Sequence, residues 1–167
     1  LAVLIMALKD KHWRVRKQVV KAIAQIGGKH AISTLILALR DTHPGVRFES
    51  AERLGKMKDK RALPALIQRL EDTRALIRAG VVIALENIGD KRAVPGLIQR
   101  LKDRNWRIRH SAARALGQLG DERAVRALCM ALTDRDWKVR EQAAEALGRI
   151  GKVDAVVPLI KASQDKD

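Results

Sequence analysis

"DRNWRIRHSAARALGQLGDERAV" occupies residues 103–125, and "DRDWKVREQAAEALGRIGKVDAV" occupies residues 134–156, the same pattern respelled one period later. The correspondence extends through the chain. Asp stands at 10, 41, 72, 103, 134 and 165, a constant step of 31 with no insertion. Arg stands at 16, 47, 78, 109 and 140, each preceded by Val15, Val46, Ile77, Ile108 or Val139. Further along the unit come Ile23, Leu54, Leu85, Leu116 and Leu147, then Gly27, Gly89, Gly120 and Gly151. Ala31, Ala62, Ala93, Ala124 and Ala155 open the following units. A fixed period of this length decides the architecture before any local reading does.

Each unit reads as two helices. In Ala93 to Leu101, Val94, Leu97, Ile98 and Leu101 fall at i, i+3, i+4 and i+7, a one-sided apolar stripe. Pro64 and Pro95 lie in the first turn, where a missing N–H is harmless. After the polar break "KDRN" a second helix is expected from about Trp106 to Leu119, with Asn105 and Asp136 as N-caps and Pro44 at a first helical position. Gly120 and Gly151 fall where a left-handed C-terminal residue is wanted. Neither helix buries its stripe alone, so consecutive pairs must stack. The expectation is an all-α, right-handed α-solenoid of antiparallel helix pairs. Its units run 1–30, 31–61, 62–92, 93–123 and 124–154, with a half-unit at 155–167.

The pattern D-x-x-W-x-V-R-x-x-A-A-x-A-L-G-x-I-G-D-x-R-A-V resembles the short HEAT-like repeat of phycobilisome lyase subunits and of many prokaryotic scaffold proteins. It is also similar to the consensus of artificial alpha-helical repeat binders. The resemblance covers essentially the whole chain. It implies that the second helices look inward and line a concave binding surface, and that the recurring Asp and Arg link neighbouring repeats. The pairs Asp10/Arg16, Asp41/Arg47, Asp72/Arg78, Asp103/Arg109 and Asp134/Arg140 are therefore read as a structural ladder rather than a phosphate track.

The letters that change carry the functional signal. In the fourth unit the free positions of the second helix are Trp106, Arg107, His110, Ser111, Arg114 and Gln118, on the face opposite Ile108 and Leu116. Equivalent positions include Trp13, Arg14 and Lys17 in the first unit, and Trp137, Lys138, Glu141, Gln142 and Glu145 in the fifth. Units two and three break the pattern with Phe48, Glu49 and Glu52, then Leu76, Ala79, Gly80 and Ile83. An apolar patch with a polar rim marks an interaction site, so Phe48, Leu76 and Ile83, bordered by Trp106, form the candidate centre. The competing readings are that unit three twists and buries these groups, or that degenerate repeats merely drift. Arg53 replaces the Ala of other units and points to local repacking. Trp13, Trp106 and Trp137 share one register. They read either as stacking platforms for bases or sugars, or as covers for their helix starts; successive platforms about 10 Å apart are too far for adjacent stacked bases.

Composition narrows the classes. Lys and Arg number 34 against 19 Asp and Glu, a formal charge of +15, which favours acidic partners. The excess is largest in units one, two and four, and Glu49, Glu52, Glu141 and Glu145 interrupt it on the proposed inner face. The single cysteine, Cys129, shares its register with Ile36, Ile67, Ile98 and Ile160 and reads as a core residue, so no intrachain disulfide is possible. "LAVLIMAL" is too short to span a bilayer and belongs to the repeat, so no membrane association is expected and a cytoplasmic location is. The chain opens without Met inside an apolar element, so more repeats or another domain are expected before Leu1. Ser163 and the polar "SQDKD" read as a finish or a linker. His12 and His43 share a register, but histidines one repeat apart cannot share a metal with bonds of about 2 Å. No metal, cofactor or catalytic constellation is expected.

The functional expectation is a non-enzymatic protein-binding scaffold whose partner is another protein, favourably an acidic one. The alternatives are a nucleic-acid-binding surface built on the basic flanks, as in HEAT-like DNA glycosylases, and a chromophore-lyase-like subunit.

Overall fold

The structure is a computed structural model describing residues 2–151. Leu1 and the half-unit at 155–167, with Ala155, Ile160, Ser163 and Asp165, lie outside the described residues. Among the described residues all regular structure is helical. Five pairs follow one another: α1 (Ala2–Ala7) with α2 (Trp13–Ile26), α3 (Gly28–Ala38) with α4 (Pro44–Met57), α5 (Leu63–Arg69) with α6 (Ala75–Ile88), α7 (Val94–Arg100) with α8 (Trp106–Leu119), and α9 (Val125–Ala131) with α10 (Trp137–Ile150). The fold is an all-α solenoid of helix pairs.

Each second helix is 14 residues long. Its start is chemically marked: the Asn105 and Asp136 side chains accept from the N–H groups of Arg107 and Lys138. In α4 the cap is His43, whose ring nitrogen accepts from Gly45 N–H at 3.1 Å, a capping group that the sequence reading missed. The openings of the units differ from expectation. Ala62, Ala93 and Ala124 do not begin an α-helix but close one-turn 3-10 segments at Lys60–Ala62, Lys91–Ala93 and Glu122–Ala124. The cause is local. Asp59, Asp90 and Asp121 each accept the backbone N–H of the arginine two residues on, and that arginine folds its guanidinium onto the same carboxylate.

The repeated apolar letters are the core. Ile23, Leu54, Leu85, Leu116 and Leu147 are buried, as are Ala31, Ala62, Ala93 and Ala124. Val46, Ile77, Ile108 and Val139 are buried too, whereas Val15 is 40% exposed beside α1, a six-residue helix with no buried residue. The chain forms two compact units, Leu1–Ile88 and Gly89–Asp167. In the first, α4 packs most extensively on α6; in the second, α8 packs on α10. Both contacts use a glycine at the same register. A Cβ on Gly55 would stand 2.6 Å from the Cα of Ala84, and one on Gly117 would stand 2.7 Å from the Cα of Ala146. The backbones approach this closely only because the side chain is missing.

The ladder side chains lie within these units. Arg16 donates both Nε and Nη2 to Asp41 at 2.7 Å, and its Nη1 to the Asp10 carbonyl at 2.8 Å. Arg47 makes the same fork to Asp72 at 2.8 and 3.1 Å and reaches back to the Asp41 carbonyl. Arg109 repeats it with Asp134 at 2.7 Å and the Asp103 carbonyl at 2.9 Å. Arg78 and Arg140 donate to the carbonyls of Asp72 and Asp134. Each aspartate also accepts the N–H two residues on, as Asp41 does from His43 and Asp134 from Asp136. One side chain thus closes its own loop while an arginine from the preceding repeat clamps it, a planar bidentate geometry that lysine does not reproduce.

Candidate functional site

In the first unit the departures from the repeat converge on one feature. α4 contributes Phe48, Glu52 and Lys56, and α6 contributes Gly80, Ile83, Ala84 and Asn87, to a mostly apolar cleft of about 330 Å³. It exists because of the sequence changes on both helices. Gly80 offers no side chain, so the Phe48 ring lies against its backbone; a Cβ there would meet Phe48 Cε2 at 2.9 Å. Ile83 stands on the wall, 44% exposed. Lys56 pairs with Glu52 at the rim and holds its carboxyl below the usual range.

The structure brings Phe48 and Ile83 together and leaves Leu76 elsewhere: Leu76 is 66% exposed but does not line the cleft. Trp106 belongs to the second unit. Lys56, Ala84 and Asn87 went unselected in the sequence reading. Lys56 and Asn87 share the register of Gln25, Gln118 and Arg149, so extending that free position to units two and three would have found them.

Not every position expected on the binding face is open. Glu49, expected to interrupt that face, is 3% exposed. It accepts Arg53 at 2.7 Å from its own helix and Lys17 at 3.5 Å from α2. Arg53 at an alanine position is thereby explained, and Lys17 is engaged within the unit. Gly80 and Gln142 occupy the same register as Glu49 and are also buried, because that register faces the neighbouring second helix. Trp13 stacks on His43 with ring centroids 3.9 Å apart and planes 10° from parallel, and its edge touches Gly45. Arg14 lies over the Trp13 ring, 5.5 Å from its centre.

The second unit presents different chemistry. Arg107 sits 5.0 Å and Lys138 4.7 Å from the Trp106 ring centre, and Lys138 is also 5.5 Å from Trp137. The Lys138 ammonium is shared by two indoles, and Trp137 is 55% exposed. His110 is half-buried; burial, with Arg114 adding to it and Glu141 and Asp136 opposing, holds its pKa below the ordinary value. Further along α10, Gln142 and Arg149 both bond Glu145.

Among the described residues no group of three or more His, Cys, Asp or Glu is placed to share a metal ion. No described helix is long and apolar enough to cross a membrane. Cys129 is half-buried in α9.

The chain is similar in structure to the complex of CpcE and CpcF of phycocyanin lyase from Nostoc sp. PCC7120, with a TM-score of 0.77, 23% identity, 99% of this chain covered and 71% of that one. It is also similar to a designed armadillo repeat protein in complex with the peptide (KR)4, with a TM-score of 0.71, 19% identity and coverage of 98% and 87%. Human deoxyhypusine hydroxylase in complex with glycerol resembles it less closely, with a TM-score of 0.52, 20% identity and coverage of 99% and 90%. No curated protein matches the chain in sequence. The HEAT-repeat family model matches residues 1–86, 63–135 and 94–167, so the chain belongs to the HEAT-repeat family.

Proposed function

We propose that the chain is a non-enzymatic, protein-binding scaffold that grips its partner through the exposed face of its second helices, with the Phe48–Ile83 cleft as the seat of one apolar side chain. The cleft itself carries this reading. A volume of about 330 Å³ lined mainly by apolar atoms lies open beside a charged rim, and an apolar recess in a polar surround is where interface anchors seat. The repeat fold supports it too, since stacked helix pairs present long surfaces whose free positions vary without disturbing the core.

The test is capture from nuclease-treated lysate by wild type, Ile83→Glu and Leu76→Glu, followed by mass spectrometry. One protein retained by wild type and by Leu76→Glu, and lost with Ile83→Glu, is the expected result. Equal retention by all three variants sinks the cleft as the site.

A second reading, a chromophore-lyase-like subunit, is favoured by the similarity to the phycocyanin lyase complex over 99% of the chain. Co-expression with phycocyanin and its chromophore separates the two. Chromophore attachment that depends on this chain would replace the scaffold reading.

A further inference from the structure

The loops preceding α8 and α10, with the first turns of those helices, carry one motif twice. Arg104, Trp106 and Arg107 are matched one repeat later by Arg135, Trp137 and Lys138. Arg104, Arg107 and Arg135 are exposed, and Lys138 is half-buried between the two indoles. None of these four head groups forms an ion pair among the described residues, although the same unit pairs Arg109, Arg123 and Arg149 with carboxylates. Arg135 instead donates to the Arg104 carbonyl at 3.4 Å, which tethers one loop to the other. The nearest acidic groups are committed or displaced. Asp134 is clamped by Arg109, Asp136 caps α10, and Glu141 lies a turn further along the helix.

We propose that this edge binds an acidic peptide segment, a run of Asp or Glu side chains on a partner protein. The proposal rests on the scaffold reading but uses a different surface from the cleft. Arg104 and Arg135 on the two tethered loops, with Arg107 and Lys138 in the first turns of α8 and α10, form a positive edge that Asp134 opposes only through space, and exposed guanidinium forks match carboxylates in pairs. A nucleic acid fits less well. The Trp106 ring already carries Arg107 and Lys138, and Lys138 also lies against Trp137, so the two indoles serve to hold cations, whereas single-strand binders leave aromatic faces open for bases. Glu141 also interrupts a continuous phosphate path along α10.

The experiment is fluorescence polarisation on the 167-residue chain with three labelled probes: a Glu/Gly peptide, a Lys/Gly peptide and a single-stranded oligonucleotide. Wild type should bind the Glu/Gly peptide alone, with affinity falling as salt rises. Arg104→Glu/Arg135→Glu should weaken that binding by about tenfold or more. Its thermal melt should stay near that of wild type, since both side chains are exposed. Ile83→Glu should leave peptide binding unchanged, so failure of the cleft and failure of this edge are read separately. Absence of peptide binding, equal or tighter oligonucleotide binding, or indifference to the charge reversal would each overturn the proposal.

Discussion

The first and second units share one frame and present different surfaces. Both stack 14-residue second helices, both clamp an aspartate with an arginine fork, and both slide an alanine under a glycine, Ala84 under Gly55 and Ala146 under Gly117. At the free positions they part. The first unit places Phe48, Gly80 and Ile83 around an apolar cleft, and the second places Trp106, Arg107, Trp137 and Lys138 on a cationic edge. A repeat separates the letters that hold it up from those that face outward, so its surfaces diverge while the frame stays fixed.

If the frame is shared, breaking it should hurt both units alike. Arg47→Ala and Arg109→Ala each remove a fork from a mostly buried aspartate, whose side chain is 3% exposed in Asp72 and 12% in Asp134. Stranding such a charge costs about 3 kcal/mol or more. Urea unfolding of the two variants should show losses of that order, similar to each other. A loss confined to one variant would show that the ladder holds only one unit.

The glycines test the same comparison at a smaller magnitude, with two effects opposed. Replacing a mid-helix glycine by alanine favours the helix by about 0.5–1 kcal/mol, while overpacking costs about 1–3 kcal/mol. At Gly55 and Gly117 the new methyl would meet a backbone Cα at 2.6 and 2.7 Å, which has no flexible end to yield. Overpacking should win, and Gly55→Ala and Gly117→Ala should each lose stability. At Gly148 nothing among the described residues lies within 4 Å of such a methyl, so Gly148→Ala should gain stability. Chemical denaturation reads all three. A gain at Gly117 would mean that the helices separate easily.

The frame was legible in the sequence because it repeats: Leu54, Leu85, Leu116 and Leu147 keep one register, and the buried Ala31, Ala62, Ala93 and Ala124 keep another. The 3-10 openings were not legible, since they depend on Asp59, Asp90 and Asp121 closing on arginines two residues away, a bond that competes with helix only locally. The candidate site was half legible. Phe48 and Ile83 stood out as apolar at polar registers. Their meeting across Gly80 depends on how far a ring extends sideways, which periodicity does not encode. Leu76 is the counterexample: equally apolar and exposed, yet away from the cleft. Glu49 failed for the same reason, because a register facing a neighbouring helix cannot be told by type from one facing water.

Acid should weaken both units together. At Asp41, Asp72 and Asp134 burial pushes the carboxyl pKa up, but the arginine forks and backbone N–H groups outweigh it and hold the values below normal. Arg61 and Arg123 bring Asp59 and Asp121 down to about 2. A carboxylate with a folded pKa below its unfolded value of about 3.9 stabilises the fold above that pH, and the contribution disappears as pH falls towards the folded value. Thermal melts should therefore decline slightly below about pH 6.5, where His110 must take up a proton that its burial disfavours, and drop further between about pH 4 and 2. Asp59→Asn and Asp121→Asn, one in each unit, should each flatten part of that drop. A drop untouched by both substitutions would assign the acid sensitivity to the ladder alone.

The smallest expected effect is confined to the first unit. Second helices end in the left-handed region at Gly89, Gly120 and Gly151, but α4 ends there at Lys58, with φ of 53°. It is the only non-glycine residue with positive φ among the described residues. A side chain in that conformation costs about 1–2 kcal/mol, partly offset because glycine gains more freedom in the unfolded chain. Lys58→Gly should therefore stabilise by about 0.5–1 kcal/mol, and Gly120→Lys, the reverse exchange at the same register of the second unit, should lose a similar amount. Lys58 is exposed, so its side chain adds little packing to complicate the reading. Equal and opposite shifts in urea midpoint would establish that the helix ends of the two units are interchangeable. A neutral Lys58→Gly beside a costly Gly120→Lys would show that the first unit has relaxed around its lysine, and the shared frame would then stop at the helix ends.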